Sequence, residues 1–169
     1  MIDGCDKENF VSPSPTSSGS AIAPAKAIGS GDPSGDSGGE SHSLYIRANF
    51  TTISVVLAPP PFLRLQINGT GRGTHIGRAT FVSYPTINFT VPPPFPLTGT
   101  QVITAANGDE IFTSFAGSSL PPDPNGNTYI TNTQTITGGT GRFAGATGTL
   151  AGTAVAHAGS QIGTAALEG

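Results

Sequence analysis

The chain has 169 residues, a formal net charge of −3 and only 10% charged residues, against 24 glycines and 15 prolines. With few helix formers and abundant Thr, Val, Ile and Phe, this balance excludes a helical domain and points to an all-β chain. Seven unclustered Lys and Arg exclude an electrostatic footprint for nucleic acid, and no apolar run approaches the ~20 residues that a membrane-spanning helix needs.

Residues 1–43 read as a tail distinct from the domain at 44–169. Val11–Ser43 is rich in Ser, Gly and Pro and too poor in large apolar side chains to offset the entropy of ordering, so a flexible linker is expected. Within it, Ala21–Ile28 (AIAPAKAI) is an apolar island suited to docking on a neighbouring subunit by β-augmentation, or simply a spacer. The single Cys5 excludes an intrachain disulfide. Its setting, Ile2-Asp-Gly-Cys5-Asp6 ahead of the Ser/Gly/Pro stretch, is similar to the start of a mature bacterial lipoprotein. That likeness implies lipid attachment at Cys5 and a secreted or cell-envelope protein; the alternative is an incidental cysteine.

Strands cut by turns follow. Leu44–Leu57 is β-rich and ends at Ala58-Pro-Pro-Pro61, because proline donates nothing to a ladder. Phe62–Asn68 alternates, with Leu63, Leu65 and Ile67 on one face. A glycine-dense turn leads to Thr74–Ser83, a further short strand reaches Val91, and Pro92–Pro96 breaks the pattern. In Thr100–Ala116, Asn107-Gly108 predicts a tight hairpin with Ala105 opposite Glu110 and Ile103 opposite Phe112. After the proline-rich Leu120–Gly126, strands at Asn127–Thr137, Phe143–His157 and Ile162–Leu167 bring the expected total to eight or nine. The predicted architecture is a closed antiparallel barrel of about eight strands, since closure removes exposed edges.

Gly138–Gly148 (GGTGRFAGATG) contains the G-x-G-x-x-G/A pattern of dinucleotide loops. The chemistry of such a loop needs a helix after the glycines, and Phe143–His157 carries three more glycines, each costing about 1 kcal/mol in a helix interior. A β-turn-β corner is expected instead. The stretch Ile136–Thr149 (ITGGTGRFAGATGT), with Gly73-Thr-His-Ile-Gly77 and Ala105-Ala-Asn-Gly-Asp109 in the same order, resembles the allene oxide cyclase and dirigent barrels and their bacterial secreted relatives. The resemblance implies an eight-stranded antiparallel barrel that self-associates; it assigns no catalytic residue here, and a fold marker does not carry function.

If the alternation of Leu63, Leu65 and Ile67 continues through the turn, His75 points inward with Ala79 and Phe81 as a candidate general acid or base. Glu110, sharing a face with Ile103 and Phe112, is the second candidate acid, whereas Asp109 suits bonding to its own turn. Both carry a structural alternative, as does Arg142, which is placed to pair with Asp109 or with a ligand carboxylate. Tyr45, Phe81, Phe112, Tyr129 and Arg142 are the candidate ligand contacts. The histidines, at 42, 75 and 157, are too scattered for a metal centre, and neither metal nor cofactor is expected. Sequons at Asn49, Asn68 and Asn88 read as by-products of Thr-rich strands. The expected function is binding, of a small apolar ligand in the barrel or of further copies of the chain. The alternatives are a cofactor-free isomerase or cyclase using His75 or Glu110, and a structural subunit of an extracellular assembly.

Overall fold

The structure is a computed structural model that describes residues 43–169. Cys5 and Ala21–Ile28, with the readings attached to them, lie outside the described residues. Eight strands run up and down: β1 (Arg47–Ala58), β2 (Phe62–Gly73), β3 (Gly77–Asn88), β4 (Phe95–Thr104), β5 (Glu110–Ser119), β6 (Asn127–Gly139), β7 (Gly148–His157) and β8 (Ile162–Glu168). Each pairs antiparallel with its sequence neighbours, and β8 returns to β1, so the sheet is a closed barrel as predicted.

Alternation sorts the side chains. In β1, Ala48, Phe50 and Thr52 are buried while Arg47, Asn49 and Thr51 are exposed; β3 does the same with Ala79, Phe81, Ser83, Pro85 and Ile87. One end of the barrel carries the β2–β3 turn, the β4–β5 hairpin and the β6–β7 connection. There Ile46, Ile76, Ala105, Ile111, Phe143 and Leu150 join the main buried cluster and fill the interior. The opposite end carries the proline-rich connections at 59–61, 89–94 and 120–126, with Ile87, Leu97 and Phe115 forming a smaller cluster on one wall.

Several boundaries differ from the sequence reading, each for a local reason. Gly69–Gly73 is strand, not turn, because its glycines make room for rings. A Cβ at Gly69 would strike the Phe81 ring, and Phe81 meets Phe50 edge to face at 4.9 Å between centroids. At Gly71 the obstacle is rigid: a Cβ would run into the carbonyl oxygen of Asn49 on β1. Gly71→Ala is therefore expected to destabilise the barrel by about 1–3 kcal/mol or more. A urea midpoint equal to that of the wild type would contradict this packing.

β3 is continuous through Pro85, where a break was expected after Ser83. The ladder with β2 lapses there, between Arg64↔Thr86 and Ile67↔Ser83, because proline has no N–H to offer, while pairing with β4 carries on as Pro85↔Gly99. β4 likewise starts at Phe95 and takes in Pro96, earlier than the proline cluster suggested.

The Asn107-Gly108 hairpin exists with a longer loop. Ala105 N–H donates to the Asp109 carbonyl at 2.8 Å, Gly108 sits at φ 88, and the ladder resumes as Thr104↔Glu110 and Ile103↔Ile111. Glu110 therefore stands opposite Thr104, where Ala105 was expected. A one-residue change in register turns every side chain to the other face, so Ile103 and Ile111 fill the core while Glu110 and Phe112 point out.

Gly141–Phe143 is a single 3-10 turn and β7 begins only at Gly148, so the expected strand from Phe143 is shorter. Gly141 at φ 54 and Gly145 at φ 75 bend the chain out of extension on both sides of Phe143 and drop its ring into the core.

Candidate ligand-binding cavity

The barrel is unevenly filled, and its sequence explains where the void lies. Inward positions on β2 to β5 carry Leu65, Ile67, Phe81, Ile87, Leu97 and Phe115, whereas those on β7 and β8 include Gly152, Ala154, Gly163 and Ala165. Large side chains from one wall do not reach the small ones on the other. A cavity of about 110 Å³ remains and extends to the β7–β8 connection at Ser160–Ile162. Its size is of the order of the ~150 Å³ that admits benzene in an apolar core and below the ~300–1,000 Å³ of sites for drug-sized molecules, so one ring is the scale of occupant.

The lining is chiefly apolar, with an uncharged polar belt of Thr52, Ser83, Gln101, Asn132 and Gln134. Gln134, 2% exposed, accepts a hydrogen bond from the Thr113 hydroxyl at 3.0 Å. Gln101, 5% exposed, leaves its Nε2 without a partner, and so does Oδ1 of Asn132, which packs against Gly152. Among the described residues that line this cavity, none is ionisable.

Of the candidate site residues named from the sequence that lie among the described residues, Phe81 alone lines the cavity. His75 is exposed at the centre of a tight turn, at φ 61, with Ile76 N–H bonded to the Thr74 carbonyl at 2.7 Å. The three-residue turn breaks the alternation carried through from β2, so Ile76 takes the inward place and His75 swings to solvent. Glu110 is half-buried on the outer face, its backbone N–H donating to Thr140 Oγ1 at 2.9 Å. Phe112 lies on that face too, for the reason of register given above.

Tyr45 is exposed ahead of β1, and its hydroxyl donates to the Glu168 carboxylate, a bond that holds the phenol above its ordinary pKa. Tyr129 is exposed on the outer face of β6, beside Asp123. Arg142 lies outside and pairs with Asp109 at 3.8 Å, the structural pairing the sequence suggested; an exposed pair of this kind contributes about 0–1 kcal/mol. Arg142 N–H also donates to Asp109 Oδ2 at 3.2 Å, and Gly141 packs so close to that carboxylate that a Cβ would collide with it. The anion held by this glycine loop is its own aspartate.

Asp123, half-buried in the loop at the proline-rich end, has its carboxyl pKa lowered by its hydrogen bonds. The Asn127 backbone N–H leads the interactions that hold it below the ordinary aspartate value, joined by the Asn127 side chain, the Asn125 N–H and the Tyr129 hydroxyl. A lowered carboxyl stabilises the fold above its unfolded pKa of about 3.9 and loses that contribution as the pH falls through the folded value. The Asn125 and Asn127 amide signals are expected to move and broaden as the solution is taken from about pH 5 to below about pH 3, and static signals would contradict the loop's dependence on this carboxylate.

Among the described residues no group of His, Cys, Asp and Glu is arranged to hold a metal ion, and no helix is long and apolar enough to cross a membrane. Gln101, Asn132 and Gln134 were missed by the search for ionisable candidates, although alternation carried the signal: Ile130-x-Asn132-x-Gln134-x-Ile136 shares one face, and Gln101 shares that of Ile103. No family model, curated protein or solved structure matches the chain.

Proposed function

We propose that the barrel is a binding protein that holds one small, uncharged, largely apolar molecule in its interior. The observation that carries this reading is the cavity lining, apolar with an amide and hydroxyl belt and, among the described residues, without an ionisable side chain. Such a site favours neutral occupants, because an ion entering it would lose hydration with no countercharge to replace it. The isomerase reading relied on His75 or Glu110 in the cavity, and both lie outside it. Kinship with the allene oxide cyclase and dirigent barrels stays a proposal, supported by the glycine corner and the eight-strand closure.

Self-association is a second reading with its own observation. Ile53 and Val55, on the outer face of β1, are 52% and 46% exposed, and Ile162, the Cα partner of Ile53 on β8, is 56% exposed. An apolar strip of this kind on a sheet exterior suits burial against another copy.

Native mass spectrometry of the protein purified from its own source tests both readings. Ligand binding predicts a neutral adduct of single-ring size that is absent from Ala154→Phe, whose new ring fills the void, and an unadducted wild type that also takes up neither added toluene nor added phenol would overturn it. Self-association predicts a homo-oligomer that Val55→Lys weakens at least tenfold, since a lysine would be trapped in the apolar contact. A wild type monomeric at every concentration would overturn that reading.

A further inference from the structure

Resting on the ligand-binding reading, we infer that the occupant carries a hydroxyl group, and that the amides of Gln101 and Asn132 select a neutral phenol or cyclic alcohol over a plain hydrocarbon and over an anion. Both amides line the cavity, and each has one buried polar atom with no partner, a donor on Gln101 and an acceptor on Asn132. Buried polar groups are almost always paired, so two orphans of opposite kind on one small cavity point to a missing group that both accepts and donates. A hydroxyl does both with a single atom, which suits a volume of about 110 Å³ better than a bulkier carboxamide.

The Gln101 amide is free to adjust: among the described residues no hydrogen bond fixes it, and terminal amide torsions are broad and roughly two-fold. Gln134 differs, because its oxygen is already held by Thr113. The rest of the wall offers apolar contact to a ring, from Phe81, Leu97, Phe115 and Ile130. With no cationic group among the described residues of the lining, a carboxylate would be left uncompensated.

Phenol and toluene have nearly the same shape and differ in hydroxyl against methyl. Toluene gains more on leaving water, so a preference for phenol requires hydrogen bonds at the site. The test is an NMR titration of the full chain with phenol, toluene and benzoate, following the side-chain amide signals of Gln101 and Asn132, and repeated on Gln101→Met/Asn132→Leu. Phenol is expected to bind at least tenfold tighter than toluene and to shift both amide signals, benzoate not to bind, and the double variant to prefer toluene. Toluene binding as tightly as phenol in the wild type, or a phenol preference that survives the double substitution, overturns the inference and leaves the cavity as an apolar site. Absence of binding by both phenol and toluene overturns the cavity reading itself.

Discussion

Phe143→Ala is expected to lower folding stability by about 3–5 kcal/mol, a fall of roughly 10–20 °C in melting temperature for a domain of this size. Phe143 is 4% exposed and packs in the cluster with Ile76, Ala105, Ile111 and Leu150, where three connections converge to close one end of the barrel. Truncation removes a whole ring at a point where backbone collapse is resisted. Gly139 already lies against Phe143, Thr140 N–H is bonded to the Glu110 carbonyl at 2.9 Å, and Arg142 N–H is bonded to Asp109. Phe143→Leu, which keeps most of the volume, should cost less than about 1.5 kcal/mol. Equal melting temperatures for wild type and Phe143→Ala would mean that the ring is not part of the core.

Gln101→Met is expected to act in the opposite direction and stabilise the empty barrel by about 1–3 kcal/mol, the cost of a buried donor left unpaired. Methionine matches glutamine in length, adapts its shape, and brings no polar atom that needs a partner. The same exchange at Gln134 supplies the contrast. Gln134→Met strands the Thr113 hydroxyl, itself buried, and should destabilise by about 1–3 kcal/mol. Two chemically identical substitutions on one interior belt thus carry opposite signs, which thermal melts of both variants read directly. A Gln101→Met variant less stable than wild type would show that Nε2 finds a partner in solution. Retention of the less stable glutamine is the pattern expected where stability is traded for binding.

The barrel was legible in the sequence because its signals are local and repeated: period-two alternation, proline-rich connections and the Asn107-Gly108 hairpin all report on neighbouring residues. What was misread depended on single residues at turns. One residue more in the 105–109 hairpin carried Glu110 and Phe112 to the outside, and the three-residue turn at Thr74–Ile76 exchanged His75 for Ile76. Phe143 looked like the start of a strand, yet positive-φ glycines at 141 and 145 convert it to a plug. The cavity was less visible still, since it arises from large side chains on β2 to β5 facing Gly152, Ala154, Gly163 and Ala165 on β7 and β8, a pairing that only closure brings together.

Intermolecular NOEs between phenol and the methyl-labelled protein test the central claim most directly. A ligand held in the barrel predicts contacts from the ring protons to the methyls of Ile87, Leu97 and Ile130, which line the interior. Contacts confined to Ile53, Val55 and Ile162 would place the ligand on the outer face and contradict the claim that the barrel interior is the binding site.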